Sequence, residues 1–214
     1  MTDEPPRFDD AFRERLHALF AWRRDVRRFR SDPVPEALLG QCLAEAALSP
    51  SVGNSQPWRF VRVRDPGRRA AVAESFARCN AAAAAGYEAE RAALYRRLKL
   101  EGLREAPEHL AVFCDEATEC GHGLGRATMP EMLRYSVVGA VQSFWLAARA
   151  RGLGVGWVSI LEPEALAAAL DLPEAWRLVA YLCVGFPQEE HADPELVRHG
   201  WQARDPRGAR FTER

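Results

Sequence analysis

The stretch "EMLRYSVVGAVQSFWLAARARGLGVGWVSIL", residues 131–161, decides the architecture. Its first part, 131–152, carries apolar residues at helical spacing around nearly the whole circumference, which predicts a central helix buried on all sides. Gly152, Gly154 and Gly156 then break the pattern, and "GVGWVSIL" (154–161) reads as a strand. Two further apolar runs extend the sheet: "HLAVFCD" (109–115) and "RLVAYLCVGF" (177–186), the second of fully buried type. "WRFVRVRD" (58–65) interleaves Trp58, Phe60, Val61 and Val63 with arginines, as a half-buried strand does. Helices are expected over 9–22, where Asp9 or Asp10 caps the start, from Pro35 to about Ser49, and over "EPEALAAALDLP" (162–173). Residues 67–106 are helical by propensity, and their alanine-rich run has few bulky apolar residues. That segment reads as an excursion from the core, a mobile cover. Strands and helices alternate about one core, so the class is α+β or α/β, read here as α+β. The expected organisation is one domain over 1–214, with a helical lid at about 78–106 and a polar C-terminal extension at about 192–214.

Charge and cysteine usage narrow the function. The 214 residues carry a formal net charge of -1, so general nucleic-acid binding has no support. Five cysteines without a CxxC pair argue against a disulfide framework or structural zinc, and fit a reduced, cytoplasmic setting. Cys183, inside an apolar run, reads as a core thiol. The acidic start "MTDEPPRFDD" does not read as a signal peptide, and no apolar run reaches the ~18–20 residues of a membrane helix. The histidines lack metal-ligand spacing and no GxSxG elbow occurs, which sets aside metal and serine-hydrolase chemistry.

Three stretches carry candidate chemistry. "AWRRDVRRFRSDP" (21–33) gathers Arg23, Arg24, Arg27, Arg28 and Arg30 around Asp25. If the first helix continues, Arg23 and Arg27 share a face, as do Arg24 and Arg28, and two converging guanidiniums clamp a phosphate. The competing reading is a solvated helix end, which is retained for Arg28 and Arg30. "SPSVGNSQPWRF" (49–60) places Ser51, Gly53, Asn54 and Gln56 in a polar turn. Gly53 can take positive φ, and the amides can meet the edge of a heteroaromatic ring. In "GLGVGWVSIL" the glycines let backbone approach a flat ligand, and Ser159 points to the same side as Trp157 if the strand is regular. A buried serine there needs a hydrogen-bond partner, for which backbone is the competing assignment.

Taken together and in this order, these stretches resemble the flavin-dependent nitroreductase family. "RRDVRRF" is similar to its N-terminal arginine motif, "NSQPWRF" to its ring-binding loop and "GLGVGWVSIL" to its late glycine-rich strand. The combination "RRDVR", "YRRLKLEGLREAP", "LGRATMPEM", "AVQSFWLAARARGLGVGWVSI" and "YLCVGF…PEL…GW" resembles the family's flavin-destroying branch from about residue 12 to about residue 204. The resemblance implies an FMN-binding fold with a central mixed sheet surrounded by helices. It also implies a homodimer with two interfacial sites and a helical lid. In that branch reduced FMN, delivered by a separate flavin reductase, reacts with dioxygen and is itself broken down. It yields dimethylbenzimidazole, the lower ligand of cobalamin, and erythrose 4-phosphate.

By position, the resemblance gives Arg23, Arg24 and Arg27 to the FMN phosphate and adjacent atoms, with Val26 between them. Asp25 becomes the distinctive acid that handles a proton, and Ser159 a ring contact supporting the later oxidation. Ser51, Gly53, Asn54 and Gln56 become flavin contacts, Arg91 and Leu100 belong to the lid, and Arg204 with Trp201 helps hold the phosphate. A carboxylate beside guanidiniums is expected to stay ionised and act as a base. Two alternatives stand beside this reading: an NAD(P)H-dependent nitroreductase or reductive dehalogenase, and a flavin carrier without turnover.

Overall fold

A computed structural model describes residues 4–213, so the ends of the expected 1–214 unit and the first three residues of "MTDEPPRFDD" lie outside it. The sheet has four strands, β1 (Trp58–Arg62), β2 (Glu108–Asp115), β3 (Gly154–Val158) and β4 (Trp176–Gly185), in the order β1-β2-β4-β3. Every adjacent pair is antiparallel, which corrects the mixed sheet that the resemblance implied. The reason is topological. The crossover from β2 through α5 (Met132–Ala150) to β3 leaves a gap one strand wide, and β4 fills it antiparallel to both. The one parallel element at this edge is an isolated bridge, Asp25 to Val155.

Side-chain alternation divides the core into two layers. Leu110, Val112 and Cys114 of β2, with Ala180, Leu182 and Val184 of β4, face α5 and α2 (Glu36–Ala46). Ala111 and Phe113, with Tyr181 and Cys183, face the opposite layer, which includes α3 (Pro66–Ala85) and α6 (Pro163–Ala169). Phe113 and Phe144 are fully buried, each contributing about 2–3 kcal/mol of transfer free energy. Local chemistry sets the helix starts. The Asp9 carboxylate accepts from Phe12 N at 2.7 Å to open α1 (Asp10–Trp22), and Asp65 accepts from Arg68 N at 2.8 Å just before Pro66.

Two expectations change here. The long helix α5 is not buried on all sides: Leu133, Val137, Val141 and Phe144 face the core, while Tyr135 and Val138 are exposed. Its helical period is right, but Tyr135 and Val138 on its outer face stay open to the surface. Nor does α1 bury any residue, and Leu16 and Phe20 are exposed. The second change is that β3 ends at Val158, so Ser159 lies beyond the strand. The segment expected as a cover forms α3, a short break at Gly86, and α4 (Ala89–Arg97), followed by an irregular return to β2. Among the described residues no helix is long and apolar enough to cross a membrane, and all five cysteines are free, with Cys183 buried.

Candidate active site

The site is framed by a strand-like segment that the periodicity misread. Helix α1 stops at Trp22, and Arg23 is already extended (φ -71°, ψ 113°). The chain then runs along the free edge of β3, where Val26 N donates to Val155 O at 3.0 Å. An extended run separates positions four apart by about 13 Å, so Arg23/Arg27 and Arg24/Arg28 do not share helical faces. The sheet edge offers this backbone hydrogen bonds that a continued helix would forgo.

The glycines of "GLGVGWVSIL" serve this contact. A Cβ at Gly154 would lie 2.8 Å from Val26 Cγ2, and one at Gly156 would collide with the Val26 carbonyl oxygen. They admit residues 23–27 rather than a flat ligand, which corrects the earlier reading. Gly152, at φ 76°, closes the end of α5.

Asp25 is held at both carboxylate oxygens. Trp157 N donates to Oδ1 at 2.9 Å and Arg27 Nε donates to Oδ2 at 2.8 Å. Burial nevertheless dominates and raises its pKa, against the opposing pulls of Arg27 and the Trp157 N–H; Glu195 adds to the rise. Burial thus works against the ionising pull of the arginines, an opposition that spacing alone did not weigh. Its side chain keeps 34% of its surface, so the acid remains accessible. Arg27 is fixed further by donating to Lys99 O at 2.7 Å, which brings the segment after α4 onto the site. Leu100 follows directly, half-buried, and Gly102 packs against Phe29 so closely that a Cβ would clash with its ring.

A cleft of about 270 Å³ lies over this floor, lined by Arg23, Arg24, Asp25, Arg27, Glu195 and Arg204 among others. Arg23 stacks on Trp145, 5.0 Å from the ring centroid, and Arg24 Nε donates to Ala192 O at 2.7 Å. Burial, then Arg204 and Arg23, hold Arg24 below its ordinary pKa. Among the described residues none of Arg23, Arg24 and Arg204 pairs with a carboxylate. Three unneutralised guanidiniums in one cleft fit an anion such as a phosphate.

Other candidates lie around this centre or away from it. Arg91, on α4, donates to Trp201 O at 2.9 Å and stacks on that indole, which also packs against Tyr87 and Tyr95. Ser159 is exposed, so the buried-serine argument does not apply. Ser51, Gly53, Asn54 and Gln56 form the expected turn, with positive φ at Gly53, Asn54 and Gln56. Val52 N donates to Ser136 Oγ at the start of α5, whereas Arg23 meets Trp145 further along. At ~1.5 Å per residue these anchors are about 13 Å apart along the helix, and the arginine-lined clefts contain none of the four turn residues.

Periodicity and spacing missed two participants. Glu195, whose side chain is only 7% exposed, binds Arg28 at 2.9 Å, and Arg28 also meets Glu189 at 3.1 Å. Arg28 is thus not merely solvated, as first read; it ties the segment after β4 to the site, while Arg30 pairs with Asp32. The contact from Lys99 O is a backbone one, which no side-chain pattern could signal.

A family model described as the nitroreductase family matches residues 20–186. The chain belongs to the nitroreductase family. Among its relatives is a 5,6-dimethylbenzimidazole synthase from Rhodospirillum rubrum, 65% identical, covering 94% of this chain and 95% of that one. A 5,6-dimethylbenzimidazole synthase from Rhodobacter capsulatus is 45% identical, covering 93% and 96%. A solved structure of oxidized iodotyrosine deiodinase bound to FMN and 3-iodo-L-tyrosine superposes with a TM-score of 0.71 at 25% identity, over 92% of this chain and 97% of that one. The four-stranded antiparallel sheet with helices on both faces is therefore a nitroreductase-like fold, and this member departs from a purely helical reading of its arginine motif.

Proposed function

We propose that this nitroreductase-family enzyme is a 5,6-dimethylbenzimidazole synthase, which fragments reduced FMN with dioxygen to 5,6-dimethylbenzimidazole and erythrose 4-phosphate. The observation that carries this reading is Asp25, an accessible but desolvated acid on the floor of an unneutralised arginine cleft. The 65% identity to a synthase over nearly the whole chain supports it.

The residues present fit FMN. Arg23, Arg24 and Arg204 would hold the phosphate, and Arg27 with Val26 would meet the atoms next to it. Reduced FMN, as substrate, supplies both the electrons for dioxygen and the carbon of the product. Asp25 would move the proton at its carboxylate, and burial, by raising its pKa, brings that exchange nearer neutrality than in an ordinary aspartate. Arg27 and the Trp157 N–H fix its orientation. Ser159, open to the surface beside β3, would contact the ring. The cover carrying Arg91 and Leu100, joined to the tail through Trp201, excludes water from the reacting centre.

One chain does not bring the arginines and the 51–56 turn into a common cleft, so a second copy completes the site. The homodimer is further supported by apolar faces left open on α1 and α5, at Leu16, Phe20, Tyr135 and Val138. A separate flavin reductase supplies reduced FMN, and free thiols suit a cytoplasmic setting. We take 1–214 as one domain, with its lid at about 78–106 and its extension at about 192–214.

The test is direct. Purified protein incubated with reduced FMN and air should release 5,6-dimethylbenzimidazole, detected by mass spectrometry. Absence of that product from folded, flavin-bound protein overturns the proposal. Sustained NAD(P)H oxidation with a nitroaromatic, and intact FMN, would assign a flavin-cycling reductase instead.

A further inference from the structure

The proposed site contains a second carboxylate that the reading above does not use. Glu195 opens the short helix α7 (Glu195–Arg198) and lines the same two clefts as Asp25. An acid facing a phosphate-binding cleft opposes anion binding, so its retention at 7% exposure calls for another role. It is not left uncompensated: Arg28 donates to its Oε1 at 2.9 Å, and His199 Nε2 lies 3.6 Å from the same atom. Arg28 is itself shared with Glu189. The result is a carboxylate clamped in place beside Asp25, with its charge partly neutralised from behind.

We propose that Glu195 is a positioning residue that acts through Asp25: its anchored negative charge favours the protonated state of the Asp25 carboxyl. The inference rests on the reading of Asp25 as the acid of the reaction. The groups facing Asp25 are of both signs. Arg27 is in contact, Arg23, Arg24 and Arg204 share the first cleft, Arg28, Arg198, His191, Glu189 and Asp193 line the second, and Cys183 is a neutral thiol whose pKa burial pushes up. Arg27 and the Trp157 N–H pull the acid towards ionisation; burial is the main opposing influence, and the like charge of Glu195, lining the same cleft, adds to it. Arg28 tempers that influence, because it pairs with Glu195 from within the second cleft that Asp25 also lines.

This arrangement predicts opposite effects from neighbouring substitutions, which loss of packing alone would not produce. Glu195→Gln keeps a hydrogen-bonding oxygen for Arg28 but removes the charge. The limb of the pH–rate profile that Asp25 governs, read as dimethylbenzimidazole formed from reduced FMN and dioxygen, should move to lower pH. Arg28→Gln strengthens the influence of Glu195, and the same limb should move to higher pH. Glu195→Asp, which keeps the charge, should move it less than Glu195→Gln does. An unmoved limb in both Glu195→Gln and Arg28→Gln, or shifts in the same direction, overturns the proposal. Should Glu195→Gln fail to fold, Glu195→Ala in the same assay decides: an unmoved limb in that variant overturns the proposal. Asp25→Asn is the separating control. If that variant retains the limb, the reading of Asp25 itself is wrong. If the limb vanishes there and yet ignores Glu195 and Arg28, only the role of Glu195 fails.

Discussion

Gly156→Ala probes the contact on which the site depends. A Cβ at Gly156 would overlap the Val26 carbonyl oxygen and lie 3.3 Å from its carbon and 3.8 Å from Asp25 Oδ1. The opposing atom is backbone, so no rotamer change relieves the clash; residues 24–27 must retreat from β3. Retreat breaks the bond from Val26 N to Val155 O and the charge-assisted bond from Trp157 N to Asp25. At ~1 kcal/mol for the first and ~1.5–3 for the second, the loss is about 3 kcal/mol. Leaving the segment in place instead costs a comparable overpacking strain, about 1–3 kcal/mol. Urea unfolding should therefore show a destabilisation of about 2–4 kcal/mol. Product formation should fall by about 100-fold, as expected when a reacting group is misplaced by ~1 Å. Gly40→Ala is the control: it lies within α2 with no heavy atom within 4 Å of a new Cβ, and should gain about 0.5–1 kcal/mol. Unchanged stability and activity in Gly156→Ala would refute the claim that this glycine exists to admit residues 23–27.

The buried His109 bonds Tyr181 through Nδ1 at 2.8 Å, and burial, then Arg69, lower its pKa to about 4. The unfolded chain takes up this proton first, so stability is complete above pH ~6.5 and falls as pH drops towards 4, by about 2 kcal/mol between pH 7 and pH 5. Urea titrations at both pH values should show that loss shrink in His109→Gln. Arg24→Gln should weaken FMN binding about 10- to 100-fold while leaving riboflavin affinity nearly unchanged, measured anaerobically by fluorescence quenching. Gly139 lies on the outer face of α5 with nothing within 4 Å in one chain, where alanine would add about 1 kcal/mol of helix stability. If a second copy covers that face, sedimentation should instead show Gly139→Ala weakening the dimer.

The sequence reading succeeded where local pattern and final environment agree. The apolar period of 131–152 located α5, and the runs at 109–115 and 177–186 located β2 and β4, because burial on the sheet is written in side-chain type. It failed where a long-range backbone contact overrode local preference. Nothing within "AWRRDVRRF" ends a helix; the chain leaves α1 because the β3 edge, over a hundred residues away, offers hydrogen bonds. The same contact explains why Gly154 and Gly156 were assigned to a ligand. Asp25 was recognised, but the direction of its pKa shift depends on desolvation, which spacing does not encode. Glu195 stood in "PEL", a stretch noticed only as resemblance. The open face of α5 was read as internal core because periodicity records that a face is apolar, not what covers it.

The most direct test of the central claim is a single turnover on carbon-labelled FMN. Protein is loaded anaerobically with the reduced flavin, dioxygen is admitted, and labelled products are separated by mass. The wild-type chain should convert the label to 5,6-dimethylbenzimidazole, whereas Asp25→Asn should bind the flavin and return it intact and oxidised. Equal yields of dimethylbenzimidazole from both would contradict the role of Asp25, and intact flavin from both would contradict the proposed reaction.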